Sequence, residues 1–145
     1  MNTWKPIATL VLLLLLPLAS YLQENMQGVK FDTLVESTKD WAGDTLPQYP
    51  EGQPELSVVR VTIEPGARLP VHKHPVPNSV YVAEGTLKVT LVDQDKSLTL
   101  DEGKAYVEVT DMWHFGRNEG DKPATLIIFY AGAKGIPTTV FQKDN

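Results

Sequence analysis

Two histidines one residue apart, His72 and His74, stand between Gly66 and Gly85, with Pro70, Pro75 and Pro77 around them. That pattern constrains the fold more than any other stretch. In an extended strand, side chains at i and i+2 leave the same face, with Cα atoms about 6.6 Å apart. A helix would need i and i+4 to do the same. Pro75 and Pro77 lack the N–H that a sheet ladder uses, so they belong at an edge or mouth of a sheet. Asn78 re-enters with the parity of the two histidines.

The rest of the chain carries the same extended signature. Glu55 to Ile63 alternates partly and is rich in valine, and Glu64-Pro65-Gly66-Ala67 suits a type II turn. Val80 to Ala83, Thr86 to Val92, Ser97 to Leu100 and Ala105 to Val109 read as strands between polar or glycine-bearing turns. Ala124 to Ala131 reads as a strand buried on both faces. Val29 to Glu36 reads as a first strand. Many short strands at regular spacing predict an all-β sandwich or barrel. Ser37 to Trp41 is the one place for a helical turn. Residues 41–54 form a long loop with three prolines. It is read as a fixed strap held by Trp41, Leu46 and Tyr49, with a lid as the alternative.

The first residues stand apart. Met1 to Lys5 is a charged start, and Ile7 to Ala19 is an apolar run too short for a span of about 20 residues. This predicts a signal peptide at 1–20, with small residues Ala19 and Ser20 at the cleavage point. The expected destination is export, periplasmic or secreted, and the alternative is a membrane tether through an uncleaved signal-anchor. The expected organisation is then an N-terminal strand and Pro/Gly-rich loop over 21–54, a barrel over 55–141 and a tail over 142–145. Removing Lys5 with the leader takes the formal charge from −5 to −6. An acidic chain without a basic stripe argues against a nucleic-acid partner, and no membrane partner is expected for the mature domain. The chain has no cysteine, which excludes disulfides, thiolate metal sites and cysteine nucleophiles.

His114, in Trp113-His114-Phe115-Gly116-Arg117-Asn118, is the third and last histidine. Imidazoles on one strand face can reach a single ion at about 2.0–2.1 Å. His72 and His74 have that spacing and are candidate metal ligands; His114 is the third candidate, with a core or surface histidine as the reading of it taken alone. Glu108 is read as a solvated outward residue, with a displaced ligand or a general base as the alternative. Arg60, among valines, is read as outward. Tyr81, Phe115, Phe129 and Tyr130 are candidates to line a pocket, with core or dimer contact as the default.

These residues carry a resemblance to the cupin superfamily. Its first motif appears as Gly66, five residues, His72, Lys73, His74, three residues, Asn78, six residues, Gly85. Its second appears as Gly103, five residues, Val109, Thr110, Asp111, two residues, His114, three residues, Asn118. The resemblance implies a single-domain double-stranded β-helix, a jelly-roll barrel of the type 2 class. It also implies that Asn118 steadies the loop carrying His114 and that a homodimer forms by exchange of an N-terminal strand such as Val29 to Glu36. Three positions depart from the pattern: Asn78 stands where the motif has Glu, Val109 where it has Pro and Asp111 where it has Gly. Without the carboxylate, a divalent ion on three imidazoles keeps its full +2 charge. That set suits iron, zinc, copper or nickel rather than manganese. Asn78 can still offer its amide oxygen to the ion or to a bound water.

The functional expectation is an exported metal-binding protein, with a three-histidine, metal-dependent oxygenase acting on a small molecule as the resembling enzyme class. The alternatives are a non-catalytic binder of metal or small ligand, and a degenerate site without metal.

Overall fold

The computed structural model describes residues 28–143; the expected signal peptide at 1–20 lies outside them. The chain divides into two units, Met1–Thr33 and Leu34–Asn145. In the first, the described residues are exposed and without regular secondary structure, and Lys30 pairs with Asp32 at 2.8 Å.

The second unit is all-β. Its strands are β1 (Pro54–Ile63), β2 (His72–Lys73), β3 (Asn78–Glu84), β4 (Thr86–Leu91), β5 (Ser97–Asp101), β6 (Ala105–Val107), β7 (His114–Arg117), β8 (Ala124–Ala133) and β9 (Val140–Phe141). They form two antiparallel sheets, ordered β1-β8-β3-β6 and β5-β4-β7-β2-β9. Apart from the β4–β5 hairpin, every pair of neighbours is non-consecutive, which makes this a jelly roll. The expected closed barrel is corrected in one respect: the sheets remain two separate ladders. β2 is two residues long and is followed by Pro75 and Pro77, which cannot donate across to a neighbour.

Alternation decides which side chains enter the sandwich. Val80 and Val82 of β3 and Leu126 of β8 face Leu87 and Val89 of β4 and Leu100 of β5, forming one buried cluster. Each such side chain contributes roughly 1.5–3 kcal/mol on burial. β8 is not buried on both faces as its apolar run suggests. Its even-numbered residues point in, while Phe129 is about half exposed on the outer face.

The type II turn at Glu64 to Ala67 forms: Ala67 N–H donates to the Glu64 carbonyl, and Gly66 has φ +78°. Two other expectations fail. Val29 to Glu36 forms no strand, because a strand needs a ladder partner and this segment has none among the described residues. Ser37 to Trp41 forms no helical turn. Instead, Asp40 Oδ1 accepts from Gly43 and Asp44 N–H at 2.9 and 3.0 Å, closing a tight polar turn. Trp41 packs against the core cluster and its backbone N–H donates to the Val107 carbonyl. The 41–54 loop is thus strapped at its start. Tyr49 is exposed and holds nothing down.

Candidate metal centre

The ladder brings the three histidines together. His72 of β2 lies directly opposite His114 of β7, and His74 follows on the same side of the chain as His72. All three are buried, and their ring centroids lie 4.4 to 5.1 Å apart. Each offers a ring nitrogen, and these nitrogens lie within 4.8 Å of one another.

Each ring is held by a carbonyl. His72 Nδ1 is 2.7 Å from the Pro70 carbonyl oxygen, His74 Nδ1 is 2.9 Å from that of Thr138, and His114 Nδ1 is 2.8 Å from that of Met112. A carbonyl only accepts, so each Nδ1 carries the proton and donates it. Each Nε2 is then a lone pair. Burial lowers all three pKa values, that of His74 to about 3, against the carbonyl hydrogen bonds that raise them. The imidazoles are neutral and aimed, which is the state a metal ion requires.

Glu108 corrects the expectation of an outward, solvated residue. It lies just past β6, is only 7% exposed, and shares its inward parity with Tyr106. Its Oε2 is 3.8 Å from His74 Nε2 and 3.6 Å from His114 Nε2. Burial pushes its carboxyl up to about 7, against the opposing pull of His72. Asn78 is also buried, and neither its amide oxygen nor its amide nitrogen has a hydrogen-bond partner.

The histidines and Glu108 open into a cavity of about 330 Å³ between the sheets. Its walls are mostly aliphatic, including Val59, Val61, Leu126 and Ile128, and among the described residues no lysine or arginine lines it. Arg60 is exposed on the opposite face of β1, as its parity requires, and Arg68 stacks on the Phe115 ring at 3.8 Å. Of the four aromatic candidates only Tyr130 reaches the cavity, its ring 5.3 Å from that of His74. No residue of the 41–54 loop lines it.

The C-terminal segment supplies the wall that the sequence reading missed. Thr138, Thr139 and Phe141 line the cavity, and Phe141 pairs with His72 in the ladder. The signal was a short β-branched run, Thr138-Thr139-Val140, after the Gly135–Pro137 turn. Asn118 does what was expected of it. Its Nδ2 donates to the Ile63 and Lys122 carbonyls, and its Oδ1 accepts from Gly120 N–H. It thereby ties the end of β1 to the strand that carries His114. Asp111, at the position where the motif has glycine, adopts a left-handed backbone at φ +58°. Its Oδ1 pairs with Lys73 Nζ at 3.0 Å, and its N–H donates to the His74 carbonyl.

Residues 59–130 match the family described as Cupin domain. The chain is 33% identical over 95 residues to a rhicadhesin receptor of Pisum sativum, covering 60% of this chain and 44% of that protein. It is 31% identical over 94 residues to germin-like protein 5-1 of Oryza sativa subsp. japonica, covering 59% and 42%. The matched stretch is thus less than half the length of either relative. Among solved structures it resembles the oxalate decarboxylase of Lactobacillus farciminis in complex with formate. That likeness has TM-score 0.51 and 22% identity, over 59% of this chain and 26% of that one. The family match, these relatives and the jelly roll with three converging histidines agree: the chain carries a cupin domain of the cupin superfamily.

Proposed function

We propose that this protein holds one divalent transition metal on His72, His74 and His114 and uses it in an enzymatic reaction on a small molecule. The observation that carries this is the shared anchoring of three neutral imidazoles, every Nδ1 on a carbonyl and every Nε2 left free within one buried cluster. A metal there supplies Lewis-acid activation and, for a redox-active ion, one-electron chemistry. The chain supplies the rest. The aliphatic walls exclude water and accept an apolar body, and Tyr130 and Thr139 offer hydroxyls near the metal side. Among the described residues, a small dianion such as oxalate would find no arginine or lysine in this cavity to balance its charge. The substrate class is therefore a molecule with one metal-binding polar end and an apolar remainder.

A metal-dependent oxygenase is the reaction class this reading favours. The second reading is a non-catalytic binder of metal or small ligand. The apolar start of the chain supports it, because export leads to compartments where ferrous iron is hard to keep reduced. Elemental analysis of the protein, purified without a histidine tag, separates them. One equivalent of iron, lost in His72→Ala and in His114→Ala, with oxygen uptake on addition of substrate candidates, is the expected result for the enzyme. One equivalent of zinc or copper without turnover supports the binder. No metal after reconstitution with each ion refutes both.

A further inference from the structure

The sequence places a neutral amide, Asn78, where the resemblance calls for a carboxylate, and this predicts an ion held by three neutral ligands alone. The structure shows where a carboxylate has gone instead. Ser79 of β3 pairs with Val107 of β6, and Glu108 N–H donates to the Asn78 carbonyl at 3.1 Å. The next pair in that register is Asn78 and Glu108. Residues directly opposite in an antiparallel ladder have Cβ atoms about 4.5–5.5 Å apart and share a face. A longer side chain from one strand can therefore reach the point that its cross-strand neighbour would have filled.

We propose that Glu108 is the fourth metal ligand, the carboxylate having moved from position 78 to its cross-strand partner. The proposal rests on the three-histidine reading above. Two ligand atoms about 2.1 Å from one ion are about 3.0 Å apart at a right angle, about 3.4 Å in a tetrahedron and about 4.2 Å when opposite. Glu108 Oε2 stands at 3.6 and 3.8 Å from two histidine Nε2 atoms, within that range. Its carboxylate is buried against the histidine cluster with no lysine or arginine among the described residues lining the cavity, so the metal is the cation that would balance it. The consequence reverses the selectivity read from Asn78. Three imidazoles and a carboxylate reduce a divalent ion to a net +1, and manganese and ferrous iron then fit as well as zinc.

The test uses the full-length protein and the metals alone. Mn²⁺ binding is followed by electron paramagnetic resonance, and Zn²⁺ binding by competition with a chromophoric chelator. The proteins are the wild type, Glu108→Gln, His72→Ala and the double variant Asn78→Glu/Glu108→Gln. The expected result is a loss of Mn²⁺ affinity of about 100-fold or more in Glu108→Gln. The double variant, with the carboxylate returned to β3, recovers most of it. Equal Mn²⁺ binding by wild type and Glu108→Gln, with loss in His72→Ala, overturns the proposal and leaves the three-histidine site intact. Failure of the wild type to bind either ion overturns both. Carbon-13 NMR of wild-type protein labelled at glutamate Cδ is independent of variant folding. A buried glutamate resonance that shifts on Zn²⁺ addition supports the proposal, and an unchanged set of glutamate resonances on a Zn²⁺-loaded protein overturns it.

Discussion

At the scale of single residues, Asp111 shows how the loop before His114 is held. Its φ of +58° is a conformation that costs an ordinary L-residue roughly 1–2 kcal/mol. Aspartate tolerates it better than most, and here the Lys73 ion pair and the hydrogen bond to the His74 carbonyl hold it in place. Asp111→Val adds β-branching at a left-handed position and removes the ion pair. We predict a loss of about 1–2 kcal/mol in urea unfolding; an unchanged midpoint would show that the backbone there relaxes freely. Glu108 is legible in sequence only as an acidic residue on an alternating strand. Its parity with Tyr106 was readable, but which face was the inner one was not. That depends on the register with β3, a contact some thirty residues away along the chain.

At the scale of elements, β9 and the turn before it complete the site. Thr138 contributes a carbonyl, so its side chain gives no hint of the role. That carbonyl fixes the protonated nitrogen of His74. Removing residues 137–145 leaves His72 and His114 with their own anchors, from Pro70 and Met112, which are two residues away in each case. His74 alone loses a long-range one. Zn²⁺ affinity is expected to fall about 10–100-fold in this truncation, while His72→Ala abolishes binding. Competition titration distinguishes the two. The short strands β2, β7 and β9 escaped the sequence reading for a related reason. Two to four residues carry too little periodicity to register, and only their neighbours in the sheet make them strands.

For the whole molecule, the buried titratable groups set the pH response of the metal-free protein. The three histidines have folded pKa values below the ordinary 6.5. They contribute stability that is present above about 6.5 and lost as pH falls, for His74 toward about 3. Glu108 is raised from 4.5 to about 7, so its contribution is present below about 4.5 and lost as pH rises toward 7. Between these limits three imidazoles oppose one carboxyl. The urea midpoint of metal-free protein is expected to rise from pH 4.5 to 6.5, and to rise more steeply in Glu108→Gln. A midpoint that falls over this range contradicts the assignment. The outer face of the four-stranded sheet bears on assembly. Leu56 and Val58 of β1 are 81% and 64% exposed, with Val58 directly opposite Phe129 of β8. Such a contiguous apolar face supports the homodimer proposed from the resemblance. Light scattering is expected to give twice the chain mass, and Leu56→Glu is expected to shift it toward the monomer; a monomeric wild type refutes the dimer.

The all-β class, six of the strands and the three histidines as candidate ligands were legible in the sequence alone, because parity, β-branched runs and glycine–proline punctuation are local signals. His72 and His74 share a face through spacing alone. What only the tertiary structure decided is the content of the space between the sheets. It placed His114 opposite His72, turned Glu108 inward, kept the 41–54 loop away from the cavity and brought Thr138 to His74 across 64 residues. These depend on register and on pairing between distant strands, and a single chain read in order carries no local record of which distant strand its neighbour will be.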